Sequence, residues 1–163
     1  MRPRENLEEL KRNLLEVTKV SKDHGPNGGF SEPFVIMEGK VKILDRKIGI
    51  EELEGLMIET GFKRFDRITT GWGSQKFNID FTLGYGTKGC GILLEKNKDF
   101  VSHIWFDFHP ACGPPERIVD LYNYIFEISN KWNLILVDWR LEVIIDSKER
   151  NSLMTYLNGD FEF

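Results

Sequence analysis

Four strand-type runs separated by very short turn links dominate the middle of the chain, and this spacing limits what it can fold into. The runs are "FKRFDRITT", "QKFNIDFTL", "CGILLEK" and "FVSHIWFDFH", joined by "GWGS", "GYGTKG" and "NKD". Links this short cannot carry a crossover, so successive strands must lie antiparallel as a meander. In the second run Phe77, Ile79, Phe81 and Leu83 alternate with Asn78, Asp80 and Thr82, which predicts one apolar face and one wet face.

Helical periodicity flanks the meander. "ENLEELKRNLLEVTKVSK" places Leu7, Leu10, Leu14 and Val17 on one narrow stripe. "IGIEELEGLMIETG" turns Leu53, Leu56 and Met57 inward and stops at Gly61. "PERIVDLYNYIFEISNKW" carries an apolar arc of about 220°, wider than one sheet face needs, so flanking helices or another chain must cover part of it. The run "LILVDWRLEVIID" supplies one or two further strands, "VKIL" a short one, and "SKERNSLMTYLNG" a last helix opened by Asp146 or Ser147. The expectation is an α+β fold in which an antiparallel sheet of four to six strands packs with three to four helices as a single pair of layers. One domain over 1–163 is expected, with 23–33, rich in Gly, Pro and Asn, as a flexible connector after the first helix.

Composition bounds the function. A formal net charge of -4 gives no general affinity for phosphate backbones, so nucleic acid is not an expected ligand. The amino-terminal residues mix acids and bases and read as neither signal peptide nor membrane anchor, so a cytoplasmic location is expected. Cys90 and Cys112 lack CxxC spacing and read as reduced thiols. "GYGTKG" matches the letters of a dinucleotide-binding loop, but a strand follows it where that loop needs a helix, so it reads as a hairpin turn.

Chemistry concentrates in "HIWFDFHPACGPPER". Strand alternation puts Phe100, Ser102, Ile104, Phe106 and Phe108 on the core face, and Val101, His103, Trp105, Asp107 and His109 on the other. Asp107 and His109 are about 7 Å apart along the strand, near enough to share an ion, whereas His103 is too distant from His109 to join them. Asp107, His109 and Cys112 are thus the candidate metal ligands, and Asp107, His109 and Glu116 the candidate acid-base set of a small hydrolase. Each also has a structural role: the Asp-His pair as a hydrogen-bonded element, and Glu116 at the helix dipole. Asp138, ending "LILVD", reads as a turn aspartate. No cofactor is expected.

Absence of a recognisable nucleophile and an acidic surface favour a non-catalytic protein that binds another protein, as an inhibitor, immunity-type protein or adaptor. Trp72, Tyr85 and Trp139 lie in turn-like segments and are the expected partner surface. A basic partner suits the charge, and a homodimer is an open arrangement.

Overall fold

A computed structural model describes residues 1–23, 39–59, 61–72, 75–87, 90–108, 115–139 and 141–159. The fold is α+β, with antiparallel sheets and four helices. In chain order the elements are β1 (Arg2–Pro3), α1 (Leu7–Asp23), α2 (Ile50–Glu59), β2 (Lys63–Arg64), β3 (Thr69–Trp72), β4 (Gln75–Asn78), β5 (Thr82–Thr87), β6 (Cys90–Asn97), β7 (Phe100–Phe108), α3 (Pro115–Trp132), β8 (Leu134–Asp138), β9 (Val143–Ile145) and α4 (Arg150–Asn158). Among the described residues no helix is long and apolar enough to cross a membrane. The expected connector falls outside the described residues, except Asp23 at the end of α1.

The meander is present but not as a single unbroken sheet. A four-stranded sheet has the order β2-β5-β6-β7, β3 pairs only with β4, and β1-β8-β9 form a separate sheet of three. The first two expected strands are each broken. Phe65 to Ile68 bend between β2 and β3, and Asp80-Phe81 turn between β4 and β5. Asp and Asn suit such turns because their side chains satisfy local backbone groups. The alternation from Phe77 to Leu83 therefore serves two strands and defines no common inner face: Phe77 is 65% and Phe81 56% exposed. "VKIL" is not a strand either. Ile43–Arg46 form one turn of 3-10 helix, whose start is fixed by the Asp45 carboxylate accepting from the Lys42 amide at 2.8 Å.

Strand β7 departs from strict alternation in one place. Ile104 and Phe106 face the core as expected, yet Val101 is fully buried and Phe100 is partly exposed. The register explains this. Glu95 on β6 pairs with His103 and Lys96 with Val101, so Ser102 is an extra residue in a bulge, and the inward parity changes across it. The Ser102 hydroxyl donates to the Glu95 carbonyl at 3.1 Å.

The core is continuous. Ile92 and Leu94 on β6 face α3, whose Tyr124 ring meets Phe106 and Phe62 edge-on at centroid distances of 6.5 and 6.2 Å. Most of the wide apolar arc of α3 is covered, because the helix also contacts β8 and α4, while Val119 stays 51% exposed. Arg150 of α4 lies over Tyr122 and Phe126 and donates to the Tyr122 hydroxyl at 2.8 Å. Among the described side chains of α1 only Leu10 is fully buried, in keeping with the narrow stripe. Helix α4 begins at Glu149, which makes no side-chain cap, and not at Asp146 or Ser147. Asp146 is instead paired with Arg4 and accepts from the Lys148 amide.

The residues around β1 stitch these pieces together. The Met1 amine donates to the Ile104 carbonyl on β7 at 2.7 Å, while β1 pairs with β8. Burial pushes that amine down to about 5, so near neutral pH it donates as an uncharged group. Asn6 is buried and pairs through both ends of its amide with the Val41 backbone, at 2.6 and 3.1 Å. Glu5 pairs with Arg46.

Two outcomes follow. Leu94→Ala removes a fully buried side chain from the central ladder and should cost about 2 to 5 kcal/mol in chemical denaturation. The Arg4 guanidinium holds the Asp146 carboxyl below its usual value of 3.8. Its stabilising contribution is therefore present above the unfolded value and lost as pH falls through the lower folded one. Asp146→Asn should lower stability at neutral pH and flatten the acid limb of the stability profile between pH of about 5 and 2. A variant profile parallel to the wild type over that range would contradict this.

Candidate partner-binding site

The outer face of the four-stranded sheet is built from a strip of glycines and what lies on them. In β5, Gly84 and Gly86 alternate with Tyr85, and Gly91 lies opposite Gly86 on β6. A side chain at Gly84 would meet Phe65 and Ile68 at 2.8 and 2.7 Å, and Gly86 has a φ of +146° that side chains rarely adopt. Phe65 therefore folds back across a surface without side chains. β5 continues through an antiparallel pairing with β6, ending at Thr87 opposite Cys90, so no helix follows "GYGTKG" and the hairpin reading stands.

β7 carries the chemistry of this face. Trp105 is 50% exposed and stands opposite Leu93. His103 stacks on its ring, with centroids 5.8 Å apart and planes 23° from parallel, and lies with Nδ1 3.1 Å from Glu95 Oε2. Asp107 is exposed on the same face, opposite Gly91. Beside them a cleft of about 290 Å³ opens between β7 and β8, walled by Trp105, Asp107, Trp139, Asp138, Tyr156 and Arg2 among others. Asp138 ends β8 as a turn residue, accepting from the Leu141 amide at 3.1 Å and from the Tyr156 hydroxyl at 2.8 Å. That network fixes the wall on which Trp139 sits.

The expected partner surface is only partly placed here. Trp139 is half-buried at the cleft. Trp72 ends β3, and its side chain lies outside the described residues. Tyr85 is a correction: its segment is a strand and not a turn, alternation points the ring inward, and it is 2% exposed. Its hydroxyl donates to Glu54, and burial, followed by the Glu54 carboxylate, pushes the phenol upward. Trp105 takes the place at the surface that Tyr85 was expected to hold. The signal was present in the sequence, since alternation put Trp105 with His103 and Asp107 on the outer face. What alternation alone does not reveal is that the neighbours opposite, Leu93 beside Trp105 and Gly91 beside Asp107, leave Trp105 half exposed.

Of the candidate ligands, Asp107 is placed on this outer face, whereas His109 and Cys112 lie outside the described residues. Glu116 is in the first turn of α3, with its side chain likewise outside them. Among the described residues no group of three His, Cys, Asp or Glu side chains is arranged to hold a metal ion. Cys90 is buried in the core.

The two aromatics that exchange places should respond oppositely in unfolding experiments. Tyr85→Ala should cost about 3 to 5 kcal/mol, because it empties a core position. Trp105→Ala should cost less than about 1.5 kcal/mol, since half the ring is already in water. Equal costs would show that both rings serve the core. No family model, no curated protein and no solved structure matches the chain, so the site is read from its own residues.

Proposed function

We propose that this protein works without catalysis, by binding another protein through the outer face of β7 and the adjoining cleft, as an inhibitor, immunity-type protein or adaptor. The observation that carries the reading is Trp105, a half-exposed ring held in place by His103 and flanked by Trp139 across the cleft. A large indole held rigidly at a surface loses little conformational entropy on contact, which is why Trp anchors interfaces so often. Phe65, which lies over Gly84 and beside Gly91, adds a further part-exposed ring to this face. A partner bearing basic groups suits the net charge of -4 and the carboxylates at the cleft, and a cytoplasmic setting belongs to the same reading.

Affinity capture from a lysate of the source cell, read by mass spectrometry, tests this with Trp105→Ala and Trp139→Ala beside the wild type. A partner retained by the wild type should be weakened by about 2 kcal/mol or more in at least one variant, with both variants still folded. Capture unchanged in both would remove this face as the interface. Stoichiometric metal in the purified protein, lost in His109→Gln, would favour the hydrolase centred on Asp107 and His109 instead.

A further inference from the structure

Asp107 has two aromatic neighbours and, among the described residues, an open flank. Trp105 is two residues away on the same face of β7, and the Gly91 position opposite has no side chain to shield the carboxylate. Across Gly91 lies Phe65: a Cβ at Gly91 would be 3.6 Å from the Asp107 Cβ and 3.9 Å from Phe65 Cε2. The carboxylate is thus bracketed by two rings, 50% and 37% exposed, above a floor of backbone. The cleft alongside adds a second carboxylate, Asp138, and a second indole, Trp139.

Such a bracket suits a planar organic cation. A guanidinium stacks on an aromatic face and donates through a two-pronged fork to a carboxylate, whereas a lysine ammonium offers only a point charge. Among the described residues that line the cleft are two carboxylates, Asp107 and Asp138, and one guanidinium, Arg2, while the Met1 amine is already spent on Ile104, a balance that favours a cation.

Resting on the protein-binding reading above, we propose that the partner inserts an arginine here, its guanidinium stacked on Trp105 and forked onto Asp107. Trp105 and Phe65 set the plane of the group, and Asp107 its direction. His103, stacked behind Trp105, is a positioning residue that keeps the indole from rotating away.

The full chain, titrated with a blocked Gly-Arg-Gly peptide and followed at the indole N–H signals by NMR, tests this without any partner; Trp105→Phe identifies the signal that belongs to Trp105. A saturable shift of the Trp105 signal is expected, about tenfold weaker for Gly-Lys-Gly and for the Asp107→Asn variant. Asp107 is exposed, so Asp107→Asn should remain folded, which its dispersed spectrum would verify. A shift that does not saturate, or that is equal for the lysine peptide or unchanged in Asp107→Asn, overturns the arginine site. A partner whose capture depends on Trp105 but neither on Asp107 nor on competing Gly-Arg-Gly would also overturn it while leaving the protein-binding reading intact.

Discussion

The short segment from Met1 to Asn6 joins parts of the molecule that have no other regular pairing. The four-stranded and three-stranded sheets share no ladder, yet Met1 reaches the Ile104 carbonyl on one while Arg2 and Pro3 pair with the other. Arg4 then clasps Asp146 beyond β9, and Asn6 completes the backbone groups of Val41. Each contact is modest, but the Met1 amine and the Asn6 amide are buried, where a polar group left unsatisfied costs more than a hydrogen bond is worth, while the Arg4–Asp146 pair is only partly buried. Met1 and Arg2 of this segment also line the cleft between β7 and β8.

Elements whose residues satisfy one strong local pattern were legible in the sequence. α3 carries the periodicity that locates it, from Pro115 at its first turn to Trp132, and α2 stops at Glu59, two residues before Gly61, which adopts a φ of 79°. The antiparallel pairing of β5, β6 and β7 follows from link length alone. Illegible were the places where one polar side chain outweighed a run of apolar ones. Asp45 turned "VKIL" into a helical turn, and the Asp80 turn divided a promising strand so that Phe77 and Phe81 remained in solvent. β1 left no signal of its own, since two residues cannot display a period.

Of the site, its chemical types were visible but not its composition. Trp105, His103 and Asp107 fall on one face by simple alternation, and Asp138 behaves as its position after an apolar run suggests. Tyr85 was misplaced because glycines on both sides mimic a turn. In the sheet those glycines serve another purpose: Gly84 admits Phe65 and Ile68, and Gly86 adopts a backbone angle closed to other residues. Flatness on one face required Gly-Tyr-Gly, and the tyrosine between the glycines was left to fill the core.

The bulge at Ser102 has a consequence beyond local geometry. It acts as a phase shift: residues before it obey one parity and residues after it the opposite one. Whether an indole or an isoleucine looks outward on β7 is therefore decided by counting from the turn at Lys98 and Asp99, not by the character of either residue. Related chains could change nearly every side chain here and keep the same surface, while a single gap in this strand would exchange outside for inside.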